Sequence, residues 1–535
     1  MLSKKGNLVI NSGKKIKCEK PIQLTNFTTL TDEQIQTSSY EDEEDHSSKL
    51  ATILSEIKQM KVELLMFVYT LSYALRNVSQ TTIIIDKVCL VHFNYSSSIC
   101  ANISYYPDVK NEVVKLANNY LLGYNFLVFL TSSILVIFIG SWSDKYSRRV
   151  PVIVALIGML IDDVATTLCS VFMDTRVEFL FIPAFINGLS GGFTAIMAVL
   201  YSYISDITTV SNRTMKYTLF QASVGLSMPI GIAASGYIFK YFGYNAIFLI
   251  ATAGHVLALL WVIFFVKETR GLENTESWKL KLRNLFSTEN VIASFHATVK
   301  KRPNQGKKQI VFLMFCMSIA LLHQASVDTI GFSYVHHRFN WDNTKFSTVF
   351  GIFTMVGTFA TLFIVPLFKK MKLGDLTLGF VGSISEISKS LLMGLATNEY
   401  LYYIANMIGV LDMLVPLAGR SRISKIVSED DIGKIFSFLS MVESVLPSLA
   451  TAAVSQIFNA SLDFFPGLIY VILGSISLIS VGVFLWITRL PKVDYDEKED
   501  VFDAVEDVPD ENGSIKITKD DSNTNNMEDT EPKHL

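Results

Sequence analysis

The sequence predicts an all-α polytopic membrane protein with twelve transmembrane helices in two groups of six. Three observations carry that reading. Apolar runs of roughly 20 residues, each long enough to cross a bilayer, recur between residues 62 and 487. Charged residues make up 18% of the chain and hydrophobic residues 50%, against about 25% charge in a typical soluble protein. Lys and Arg gather in alternate connecting loops, the pattern that fixes membrane orientation. The formal net charge of −3 gives nucleic acid no basic surface to bind, so the lipid bilayer is the expected medium.

Residues 1–61 form a polar N-terminal tail with an acidic run at 41–45, too poor in apolar side chains to fold alone. Near its end Leu50, Ile53, Leu54, Ile57 and Met60 recur at helical spacing beside Lys49, Lys58 and Lys61. Such a stretch suits an amphipathic helix on the membrane surface or a lead-in to the first span. The expected spans are 62–89, 116–142, 150–172, 179–204, 217–239 and 245–266, then 309–335, 344–368, 376–396, 400–423, 432–458 and 464–487. The N-terminal half covers 62–266, an inter-half loop 267–308, the C-terminal half 309–489, and an acidic tail 490–535.

Basic residues fall on one side: Lys145, Arg148 and Arg149, eight Lys and Arg between 279 and 308, Lys369, Lys370 and Lys372, and Lys425 and Lys434. That side is expected to be cytoplasmic, with both termini inside. The loop after the first span is then external or luminal. It holds Cys89 and Cys100, the plausible disulfide pair among five cysteines, and the glycosylation sequons at Asn94 and Asn102. Both modifications need that compartment.

Gly140-Ser141-Trp142-Ser143-Asp144-Lys145-Tyr146-Ser147-Arg148-Arg149 joins the second and third spans. Its Asp and paired Arg resemble the loop between helices two and three of major facilitator transporters, with Ser147 where that family usually has Gly. Further stretches sharpen the resemblance: Asp86-Lys87-Val88-Cys89-Leu90 closed by Ser98-Ile99-Cys100, Tyr203-Ile204-Ser205-Asp206, Ala222-Ser223-Val224-Gly225, His323 with Asp328 followed by Trp341-Asp342, and Arg420-Ser421-Arg422-Ile423. Together they resemble solute carrier family 46, which includes the folate transporters and lysosomal and thymic relatives. The resemblance implies the major facilitator fold. It implies that Asp144, Arg148 and Arg149 form a cytoplasmic gate, that His323 takes part in proton coupling and that Arg420 contacts substrate. Two positions depart from the folate carriers: Gly192 stands in place of an Asp, and Gln221, which has no proton to release, in place of a Glu.

Ionisable residues inside a membrane cost roughly 2.5–3.5 kcal/mol each on insertion scales, so they mark polar cavities or buried pairs. Such residues here are Arg76, Asp162, Asp163, His323, Glu386, Lys389, Asp412 and Glu443, with Asp328 and Arg420 nearer the span ends. By fold analogy Arg76, His323, Asp328, Asp412 and Arg420 face the central cavity. Asp162 and Asp163 sit on an outer span, His255 reads as a packing residue, and Glu386 and Lys389 as a helical pair. Glu443, one turn before Pro447, reads either as a coupling residue or as a buried acid satisfied by a neighbouring helix.

The expected function is transport of a small organic solute, an organic anion such as a folate or a lysosomal catabolite, by alternating access between two rocking halves. Arg76 and Arg420 would be cationic contacts, and proton symport through His323 is the coupling hypothesis. An uncoupled carrier and a non-transporting receptor or scaffold on this fold are the alternatives. No nucleophile–base set, phosphate loop or metal spacing appears, so no enzyme activity, cofactor or metal is expected. The membrane is the plasma or the lysosomal one.

Overall fold

The computed structural model describes residues 60–491 apart from 273, 342 and 463. The two tails and the amphipathic stretch from Leu50 to Ile57 lie outside the described residues. Hydrocarbon offers backbone groups no water, so an apolar chain must satisfy each N–H and C=O within a helix. The described elements are accordingly helical: α1 (Lys61–Lys87), α2 (Ser97–Ala101), α3 (Pro107–Lys145), α4 (Arg149–Val171), α5 (Phe181–Leu189), α6 (Gly192–Ile207), α7 (Val210–Phe265), α8 (Trp278–Leu285), α9 (Thr288–Val299), α10 (Gly306–Phe339), α11 (Asn343–Lys370), α12 (Asp375–Gly394), α13 (Glu399–Ile408), α14 (Leu414–Lys425), α15 (Glu429–Ser461) and α16 (Leu468–Thr488).

Eight helical stretches are long and apolar enough to cross a membrane, among the described residues. One of them, α7, holds the fifth and sixth expected spans and reverses at Gly243, where φ is 72° and ψ −170°. Helices α1, α12 and α15 hold the other three, and each carries charge within its apolar stretch. Leu257, Phe264 and Phe363 are more than 60% exposed. Large apolar side chains outside in such number need lipid around them.

Two expected spans are broken. The fourth divides into α5 and α6 at Ser190–Gly191, where Gly191 (φ 97°) and Gly192 (φ 49°) both adopt left-handed backbone. Only glycine does so without steric cost. The tenth, its counterpart in the other half, divides into α13 and α14 through a 3-10 turn at Gly409–Leu411. The inter-half loop is itself partly helical. Its helix α9 packs on α3 and α15, and Trp142 Nε1 donates to the Lys281 carbonyl (2.8 Å).

One hydrophobic core is common to both halves. It joins Val136, Ile139, Leu200 and Ile204 of the N-terminal half to Ile432, Ile435, Phe436 and Leu439 of α15. Away from the basic loops the cores separate. Ile84, Val88, Cys89, Cys100, Tyr124 and Leu180 form one in the N-terminal half. Val327, Tyr334, Trp341, Tyr402, Phe458 and Tyr470 form another in the C-terminal half. The halves are therefore sealed together at the basic end. Cys89 and Cys100 are bonded, with their Cα atoms 5.9 Å apart.

Candidate functional site

The basic end is closed by a carboxylate set at a helix terminus. Asp144, at the end of α3, accepts from the backbone N–H of Gly433 (3.0 Å) and of Lys434 (2.9 Å) in α15. Those amides lie near the positive end of the α15 dipole, which favours a negative partner. Arg148 holds Asp144 (2.5 Å), reaches Asp206 at the end of α6 (3.0 Å), and its side chain is fully buried. Arg270 continues the chain of charge from Asp206 (2.9 Å) to Asp430 (3.2 Å). A Cβ at Gly433 would fall on the Asp144 carboxylate and the Arg148 guanidinium, so the approach requires glycine there. Arg149 departs from expectation: its guanidinium donates to the Ile263 carbonyl rather than to an acid. It lies one residue beyond the buried position, and α7 brings a carbonyl to it.

A second closure stands at the matching place in the other half. Asp375, opening α12, binds Lys425 (2.6 Å), Ser421 (2.9 Å) and Thr214 of α7 (2.8 Å). Arg213 donates across to the Ser424 carbonyl (2.6 Å). The inter-half segment braces this end. Tyr146 donates to Glu276 (2.7 Å), and that bond, with Lys145 beside it, holds the Glu276 carboxyl below the usual range. Burial alone would raise Asp431, but Lys434, Lys300 and Arg302 hold it below the carboxylate norm.

Above the closure lie two buried charge clusters. In the C-terminal half, Nη2 of Arg420 lies 2.7 and 2.6 Å from the two oxygens of Glu443. Its guanidinium stacks 4.6 Å over the ring of Tyr201, which belongs to α6 of the other half. Arg420 is thus a cation already neutralised, paired with Glu443 from the neighbouring helix. Thr194 and Ser444 join α6 to α15 beside it (3.0 Å). Lys389 pairs with Asp412 in the unwound stretch between α13 and α14 (2.7 Å). The expected pairing of Lys389 with Glu386 does not form; Glu386 instead accepts from Ser477 of α16 (2.7 Å), because its side chain points to that helix. His323 is buried on α10, within electrostatic reach of Lys389 and Asp412, and its Nε2 has no hydrogen-bond partner. The Asp328 side chain lies outside the described residues. Gln221 reaches the Met413 carbonyl (3.4 Å) across the halves.

In the N-terminal half, Arg76 is not a free cation. It binds Asp162 (2.8 Å), Asp163 (3.3 Å) and the Tyr124 hydroxyl (2.7 Å). The two outer-span acids turn inward to meet it, and His255 does more than pack: its Nδ1 is hydrogen-bonded to Asp163 (2.6 Å). Arg76 also lines a cavity of about 20 Å³ with Tyr69, Tyr73, Tyr124 and Phe193, room for about one water.

Sequence reading named Asp144, Arg148, Arg420 and Glu443, quoted Asp206 only within a resembling stretch and without a role, and missed Arg270, Gly433 and Tyr201. Asp206 and Arg270 each end or follow a span, where charge reads as ordinary solvation. Gly433 beside Lys434 at the start of a span was the available signal for close backbone approach. Asn94 and Asn102 are exposed.

The family model described as Major Facilitator Superfamily matches residues 119–451. Over 415 residues the chain is 25% identical to solute carrier family 46 member 2 of Mus musculus, covering 72% of this chain and 85% of that protein. It is 22% identical to the lysosomal proton-coupled steroid conjugate and bile acid symporter SLC46A3 of Gallus gallus, covering 80% of this chain and 94% of that one. Among solved structures, the human organic anion transporter MFSD10 (TETRAN) superposes with a TM-score of 0.63 at 13% identity, covering 79% of this chain and 98% of that one.

Proposed function

The chain belongs to the major facilitator superfamily, and on that premise we propose that it carries a small organic anion across a membrane by alternating access. The observation that carries this reading is the buried Arg420–Glu443 pair, seated where α14 and α15 meet Tyr201 of the opposite half. A carrier needs a charge that recognises its substrate only while the path is open. Arg420 meets that need: an incoming carboxylate or sulfate exchanges with Glu443 for the guanidinium, so the site pays little for desolvation. The displaced Glu443 is then a buried, unpaired carboxylate. It takes up a proton, because low-dielectric surroundings disfavour its charged form. One proton therefore enters with each monoanion, and symport follows without an acid at position 221.

The basic end is the cytoplasmic one in this reading, both termini are cytosolic, and the Cys89–Cys100 loop with Asn94 and Asn102 is external or luminal. With the basic end sealed, release to the cytosol requires that end to open. The membrane is the plasma or lysosomal one, and the relatives named above support the anion class.

Uptake of labelled folic acid, taurocholate and estrone sulfate into cells bearing the protein at the surface tests the reading at about pH 5.5 and about pH 7.4, which bracket the histidine value of roughly 6.5. The expected result is acid-stimulated uptake of at least one anion, abolished in Arg420→Ala. Uptake of none at either pH, with the protein at the surface, would count against it.

A further inference from the structure

The N-terminal cluster holds more than a structural ion pair. From its geometry we propose that His255 and Asp163 together form a proton-binding site, occupied in this conformation and separate from the Arg420–Glu443 pair. Two independent arguments meet on it.

The first is hydrogen-bond direction. Nε2 of His255 lies 3.3 Å from the Tyr69 carbonyl oxygen. A carbonyl only accepts, so Nε2 carries a hydrogen. Nδ1 lies 2.6 Å from Oδ2 of Asp163. Two lone pairs do not approach so closely, so a hydrogen lies between them as well. The pair therefore holds one proton more than a neutral imidazole beside a carboxylate, whether written as imidazolium and carboxylate or as imidazole and carboxylic acid.

The second is charge. Arg76 supplies one positive charge to two acids, Asp162 and Asp163, whose side chains are 0% and 1% exposed. Without a further proton the cluster carries a net negative charge in a low-dielectric interior, a costly arrangement. The donors around Asp162 Oδ2 favour leaving that proton on the His255–Asp163 pair. That oxygen accepts from Arg76, from the Tyr124 hydroxyl and from Asn187 Nδ2 (3.0 Å), a set of donors that calls for the ionised form.

The groups facing the site are accounted for on every packed element. Helix α1 brings Tyr69, whose ring lies 5.1 Å from that of His255, with Tyr73 and Arg76. Helix α3 brings Tyr124, α4 brings Asp162 and Asp163, α5 brings Asn187, and α7 brings His255 itself. Arg76 and Tyr124 also line the small cavity of this half, which places a polar, water-sized space beside the cluster.

The test needs no substrate, so its outcome is independent of the anion reading. Purified full-length protein in weakly buffered detergent at about pH 7.5 is denatured, and the protons released are counted. At that pH free histidine and aspartate side chains hold almost no extra proton. Wild type is expected to release one more proton per molecule than Asp163→Asn, which keeps shape and hydrogen bonding. Asp162→Asn leaves the His255–Asp163 contact untouched, yet Arg76 then balances Asp163 alone, so the same loss of one proton is expected. Each variant is first checked for a monodisperse elution profile matching wild type. Equal release from wild type and from both folded variants would overturn the proposal.

Discussion

Asp144 and Gly433 show how one residue governs a whole face. Asp144 needs two amides of α15, and α15 can offer them only because position 433 has no side chain. Gly433→Ala should therefore reproduce the defect of Asp144→Asn. Each removes buried hydrogen bonds worth about 1–3 kcal/mol, enough to shift the open–closed balance roughly 5- to 150-fold. Slowed uptake with unchanged surface level in both is the expected result, measured by initial rate and surface labelling; normal rates in both would remove the latch. Arg420→Lys keeps the charge but loses the planar fork and the stacking on Tyr201. It should retain part of the uptake that Arg420→Ala loses, with a weaker apparent affinity; equal rates in Lys and Ala variants would show that charge plays no part there.

At the scale of elements, the two broken spans put short helices at mid-membrane. Gly191 in left-handed backbone carries the first break, and a Cβ there would lie 2.5 Å from Ala195. Gly191→Ala should cost about 1–2 kcal/mol from backbone handedness alone, read as a lower midpoint in detergent thermal unfolding; an unchanged midpoint would mean the break tolerates a side chain. Much of the helical layout was legible beforehand, because runs of roughly 20 apolar residues have few other fates in lipid. The breaks were not, since nothing in the spacing of Gly188, Gly191 and Gly192 marks which of them interrupts the helix. Gly188 is a packing glycine: Thr131 stands against it. The charge partners were less legible still. Helical spacing pairs Glu386 with Lys389, but Lys389 turns to Asp412 in the unwound stretch between α13 and α14. Asp162, Asp163 and His255 looked peripheral because fold analogy places a span, not the face of it that a side chain occupies. Pairing across helices is a tertiary property, and no local pattern encodes it.

For the whole molecule, the account rests on two halves that share one core at the basic end and part above it. Transport then requires that seal to break. Thr194 of α6 and Ser444 of α15 face each other across the halves with their hydroxyls 3.0 Å apart, so a Thr194→Cys/Ser444→Cys pair is placed to cross-link them. The measurement is uptake of a labelled anion carried by wild type, before oxidation, after it, and after reduction, with the extent of cross-linking followed by mass spectrometry. Rocking of the halves predicts uptake lost in proportion to the bond formed and restored by reductant. Undiminished uptake with the bond fully formed would contradict it.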